Sequence, residues 1–173
     1  SVGIFFFNHG LNNWLPEILR SHGMAAAEAG FWAAIPTAVG IIAAPTIPRL
    51  ATPARRMGIL AALFLLAAGA TLLLLSADGA LLAAALVMQG MARGGMMTLA
   101  ILILLDVPEV GSRRTGLAGG LFFSAAEVGG SLGPMSIGVL AQLSDGFAAS
   151  LGMLTGITVA LLALLAVLRR KSV

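Results

Sequence analysis

The chain has 173 residues, of which 59% are hydrophobic and 10% charged, with a mean hydropathy of +1.02. A soluble domain carries about 25% charged residues, so this chain lacks the polar surface to stay dissolved, and its solvent is a lipid bilayer. Cysteine is absent, which excludes disulfides, thiolate metal sites and thiol nucleophiles. The net charge of +3 raises nucleic acid as a partner, and the placement of the charges, described below, argues against it.

A membrane span needs about 20 mostly apolar residues to cross roughly 30 Å of hydrocarbon. Six stretches meet that requirement, at residues 2–19, 29–47, 57–76, 80–105, 115–143 and 147–168. Their apolar runs are too long and continuous for barrel strands of about ten residues, so the expected class is all-α. The first stretch has no basic flank and is followed by further spans, unlike a cleavable signal peptide. With no initiator Met and no lead-in before that stretch, the chain is expected to be a fragment of something longer.

The first span holds FFFNHGLNNWLPEIL, with His9, Asn12, Asn13 and Pro16 at i, i+3, i+4 and i+7. On a helix these share one stripe, which Arg20 extends outward, while Phe7, Leu11, Trp14, Leu15 and Ile18 take the other side. Two readings of the stripe stand open. The amides bond neighbouring helices, at about 0.6–2 kcal/mol each, or they line a water-filled cavity. Asn8 falls off the centre of the stripe. His9 has a side chain that titrates near neutral pH, so it is a candidate for coupling, and equally a neutral ring bonded to an amide. No metal constellation surrounds it, since His22 lies near the outer end and the acids are scattered; no cofactor is expected.

The second span carries Pro36 and Pro45, and the third, MGILAALFLLAAGATLLLL, is apolar all round. The fourth holds Gln89 and, near its middle, Arg93, where a charge costs at least about 2.5–3.5 kcal/mol on insertion scales. The fifth is rich in glycine, contains Glu127 and ends its GGSLGP run at Pro134, where a bend is expected; the sixth is again apolar. Arg93 and Glu127 sit at similar depth, each about 18 Å from the face where the fourth span ends and the fifth begins, so an ion pair between them is feasible. Two roles follow for Arg93. It is either one half of a permanent structural bridge or a bidentate ligand for an anionic substrate, with Glu127 as its resting partner or a proton carrier. Gln89, one turn away, is expected to share its face, and Met96 and Met97 read as pliable packing.

GMARG, GGSLG and GMLTG each have the Gly-x-x-x-Gly spacing that lets membrane helices approach closely. GGSLG also fits the Gly-x-Ser-x-Gly pattern of hydrolases, but that nucleophile needs a strand-turn-helix setting and a histidine base. Ser131 is predicted within a membrane helix, so an enzyme is not expected.

Eight of the ten basic residues (Arg49, Arg55, Arg56, Arg113, Arg114, Arg169, Arg170 and Lys171) fall after spans two, four and six. With six helices crossing in turn, these positions share one side of the membrane. The positive-inside rule makes that side cytoplasmic, together with the C-terminus. Basic residues set topology here, and nucleic acid is not a partner.

The spans run polar, Gly/Pro-rich, apolar, and then repeat that order. A three-helix unit that recurs is inverted in the membrane, as in secondary transporters, so about 1–78 and about 79–173 read as two inverted repeats within one six-helix bundle.

GLNNWLPEIL in the first span, PRLATPARR after the second and SRRTGLAGGLFFSAAEVGGSLGP across the fourth loop and fifth span resemble the carboxy-terminal half of a major facilitator superfamily transporter. The resemblance covers essentially the whole chain. It implies two six-helix halves, of which the amino-terminal one is missing here. In each three-helix unit the first helix lines the cavity, the second forms the contact between halves and the third lies outside. WLP and AAEVGGSLGP look most like cyanate-type and related anion permeases. The family's loop after the second helix of a half often reads Gly, a few residues, Asp-Arg, then Gly-Arg-Arg. Here Arg49, Arg55 and Arg56 remain, but the acid is lost, which removes a candidate gating ion pair from the loop. The expectation is a proton-coupled anion transporter of a bacterial inner membrane, with Arg93, Gln89, His9, Asn12 and Asn13 binding the substrate. The alternative is a membrane interaction or sensing module of the same fold.

Overall fold

A computed structural model describes residues 1–76, 78–108 and 110–171, without the side chains of residues 111–113 and 171. The side chains of Arg113 and Lys171, two of the residues in the charge pattern, thus lie outside the described residues.

Among the described residues six α-helices form: α1 (Val2–Ser21), α2 (Ala26–Leu50), α3 (Arg56–Leu73), α4 (Gly79–Leu105), α5 (Gly111–Leu143) and α6 (Ala148–Lys171), with a 3₁₀ turn at Pro53–Arg55 before α3. They coincide with the six apolar stretches to within a few residues, because helix is the single-chain structure that satisfies its backbone polar groups within one apolar run. Among the described residues, four helical stretches are both long and apolar enough to cross a membrane: Ala26–Leu50, Pro53–Leu73, Gly79–Leu105 and Ala148–Arg170. The expectation of six such spans is therefore met by length in all six helices, and by apolarity in four. α1 is diluted by its asparagines, Glu17 and Arg20, and α5 by its glycines, serines and Glu127.

The main helix pairs are α1 with α5, α2 with α4, and α3 with both α4 and α6. Exchanging the first three helices for the last three turns the α1–α5 pair into the α4–α2 pair and leaves α3–α6 unchanged. Both exchanged pairs close through small residues. On α5, Gly129 and Gly133 lie so near the Val2 and Phe6 carbonyls of α1 that neither has room for a Cβ. On α4, a Cβ at Gly94 would stand 2.7 Å from the Gly40 carbonyl oxygen of α2, and one at Gly90 would stand 2.7 Å from that of Pro36. Two of the three Gly-x-x-x-Gly motifs thus bring backbones together. The third does not: Gly152 and Gly156 of α6 face open space.

The core is aliphatic and aromatic, with Phe7, Leu11, Leu15 and Ile18 of α1 fully buried beside Leu82, Leu86, Met96 and Leu99 of α4. The α3–α6 contact carries one polar tie, Thr71 Oγ1 to Thr155 Oγ1 at 2.7 Å. One hydroxyl donates across the pair and the other donates to a backbone carbonyl of its own helix, so neither is left bare in an apolar seam. α5 runs on as helix through Pro134, whose carbonyl accepts a 2.8 Å hydrogen bond from Trp14 Nε1 of α1.

Candidate functional site

Arg93 leaves α4 half-buried and reaches toward both α1 and α2. Its Nη1 donates to Asn12 Oδ1 at 2.9 Å and to Thr37 Oγ1 at 3.0 Å. Both acceptors are neutral. A guanidinium carries five N–H groups, so these two bonds use Nη1 and leave Nε and Nη2 without an acceptor among the described residues. Among the described residues no carboxylate pairs with Arg93; the two ion pairs are Arg20–Glu17 and Arg56–Asp106.

The Arg93–Glu127 bridge that equal depth made feasible is therefore not formed among the described residues. α5 packs chiefly on α1 and hardly touches α4, so the α1 stripe is what Arg93 meets. Buried Ala126, Gly130, Gly133 and Ile137 mark the inner face of α5, and Glu127 stands about 100° round from it, exposed.

Arg93 borders a cavity of about 230 Å³, lined by Phe5, Asn8, His9, Asn12 and Asn13 of α1 with Arg93 and Met97 of α4. The polar stripe read from the first span is thus the wall of a cavity, and His9, Asn12, Asn13 and Arg93 come together there. His9 is held flat by stacking on Phe5, with ring centroids 5.3 Å apart, and its ring lies over Gly130 of α5. A second cavity, of about 320 Å³ between α2 and α4, shares Arg93 and Met97 with the first and includes Thr37. Arg93 stands between the two.

Gln89 is not part of this wall. It is 1% exposed, with Oε1 lacking a hydrogen-bond partner, and it lies one turn from Arg93 among the packed side chains of α4. Pro16 is half-buried outside the cavity lining, and Arg20 is bound to Glu17 at 2.9 Å. Three residues enter that the sequence reading left out or set aside. Asn8 lines the cavity with a buried, unpartnered Oδ1. It lies four residues before Asn12, a spacing that places it on the same face, so the signal was present. Met97 lines the wall while Met96 is fully buried, and Thr37 has no distinguishing pattern in α2.

At the basic end of the bundle, Arg49 and Arg55 are exposed. Arg56 is bonded through Nε to the Ala51 carbonyl at 3.3 Å and paired through Nη1 with Asp106, the residue that ends α4. The acid missing from the loop is thus supplied from another helix, and the expected loss of an ion pair here is corrected. Ser131 lies within helix α5, outside the strand-turn-helix setting its motif would need.

Two facts stand together: the α1–α5 and α2–α4 pairs close through small residues, and Arg93, without a carboxylate partner among the described residues, borders a polar cavity beside α1. Comparison with curated proteins and with solved structures gives no match. The family model of the Major Facilitator Superfamily matches residues 1–173. The match spans the chain, which accordingly belongs to the major facilitator superfamily of membrane transport proteins.

Proposed function

We propose that this chain forms the carboxy-terminal half of a secondary transporter that carries a small organic or inorganic anion by alternating access, with its basic end cytoplasmic in a bacterial inner membrane. The observation that carries the reading is Arg93. A guanidinium inside an apolar bundle is costly, and here its acceptors are neutral oxygens that do not discharge it. Its free Nε and Nη2 edge matches the two oxygens of a carboxylate or other oxyanion. Asn12 and Thr37 hold the fork in place, while Asn8 and Asn13 add amide groups that bond the rest of a small solute. The likeness of WLP and AAEVGGSLGP to anion permeases agrees with this choice of charge. Proton coupling is part of the proposal, with His9 in the cavity and Glu127 on α5 as the groups able to carry a proton.

Uptake of radiolabelled small anions into proteoliposomes of the full-length protein, at two pH values, tests the assignment. Arg93→Ala should lower uptake at least about 100-fold, and Arg93→Lys should restore only a small part, since ammonium lacks the fork. Normal anion uptake by a folded Arg93→Ala protein would sink the reading, and so would a strictly cationic or neutral substrate.

A further inference from the structure

A further cavity lies away from Arg93, at the basic end of the bundle. It measures about 840 Å³ and is bordered by Arg55, Arg56, Met57, Ile103, Asp106 and Arg169. A second hollow, of about 540 Å³, continues from it between α3 and α6 over Met57, Ala61, Leu162, Leu165 and Ala166, with Arg169 and Arg170 at its rim. Met57 and Arg169 belong to both, so the two form one groove: cationic at its head, apolar along its length.

The charges at the head are not equivalent. Arg56 is engaged by Asp106, whereas Arg55, Arg169 and Arg170 are exposed and have no carboxylate partner among the described residues. Arginines that only snorkel to water at a helix end need no groove beneath them. Here α3 and α6, whose spans have hydropathies of 1.9 and 2.5, leave a trough directly below the cations. Lipid is already the solvent along such helices. A ligand with a phosphate at one end and an acyl chain at the other satisfies both parts at once, which a soluble anion or a peptide does not.

We propose that this groove binds an anionic phospholipid, its headgroup phosphate held by Arg55, Arg169 and Arg170 and one acyl chain laid over Met57, Ala61, Leu165 and Ala166. The site is separate from the Arg93 cavity and stands whether or not the transported solute is an anion.

Native mass spectrometry of the full-length protein, titrated with phosphatidylglycerol or with phosphatidylcholine of the same chains, tests it. The double variant Arg55→Gln/Arg169→Gln should weaken phosphatidylglycerol binding by about tenfold or more and leave phosphatidylcholine nearly unchanged. A charge-matched double, Arg49→Gln/Arg114→Gln, removes two exposed cations from the same end but from outside the groove, and should weaken it by less than about threefold. Ala166→Trp fills the trough with every arginine in place and should also weaken phosphatidylglycerol binding. Equal losses in the two arginine doubles would mean diffuse surface charge and overturn the proposal. Undiminished binding in Ala166→Trp would do the same.

Discussion

Arg93 shows how one side chain is shaped by what its neighbours do not offer. With no carboxylate partner among the described residues, its positive charge is positioned but not neutralised, by Asn12 and Thr37. A hydrogen bond to a charged group is worth about 1.5–3 kcal/mol, so Asn12→Ala should raise the KM for the proposed anionic substrate about tenfold while the protein still folds. Transport assays with a thermal-unfolding control check this. Glu127 gives the complementary prediction. Standing exposed and away from Arg93, it does not compete with substrate, so Glu127→Gln should leave anion affinity within about twofold of the parent. A resting ion pair would instead be released by that change and affinity would rise. Loss of pH dependence at unchanged affinity would mark Glu127 as the proton carrier.

Among the helices, backbone approach decides which residues matter. Gly133 of α5 leaves no space beside the Phe6 carbonyl of α1, whereas Gly152 of α6 has nothing within 4 Å. Two substitutions of the same kind therefore diverge. Gly133→Val should cost about 3 kcal/mol or more, since backbone cannot yield as a side-chain tip can, and should abolish the α1–α5 seam that carries one wall of the cavity. Gly152→Ala should be neutral or slightly stabilising through its gain in helix propensity. Thermal unfolding in detergent separates the two. Helix number and approximate extent were legible in the sequence because a run of apolar residues long enough to cross a bilayer has few alternatives to helix. The partners were not legible: a Gly-x-x-x-Gly motif states that close approach is possible, and GMLTG shows that the possibility can go unused.

For the whole molecule, the basic end ties elements far apart in sequence. Arg56 begins α3 and Asp106 ends α4, and Arg56 is 17% exposed against 44% for Asp106. A pair this open to solvent adds little stability, about 0–1 kcal/mol; under the proposed alternating access its effect falls on the equilibrium between conformations. Arg56→Gln and Asp106→Asn should each shift that equilibrium in the same direction, with the double variant no worse than either single one. Accessibility of an introduced cysteine in the Arg93 cavity reads the shift, and additive effects of the two changes would show that the pair does not act as a unit.

Composition and order along the chain were enough to establish a membrane bundle of six helices, its basic end, and a polar stripe on α1 bearing His9, Asn12 and Asn13. These follow from the cost of putting polar groups in hydrocarbon, which acts on each segment separately and so leaves its mark in local sequence. Tertiary packing decided the rest. Placing α5 against α1 and α2 against α4 turned Glu127 away from Arg93, buried Gln89, brought in Asn8 and Thr37, and gave Arg56 an acid from the far end of α4. Depth in the membrane is set by position along one helix, but contact depends on the rotation of two helices about their axes. That rotation is fixed by which small faces meet, and only the assembled bundle contains it.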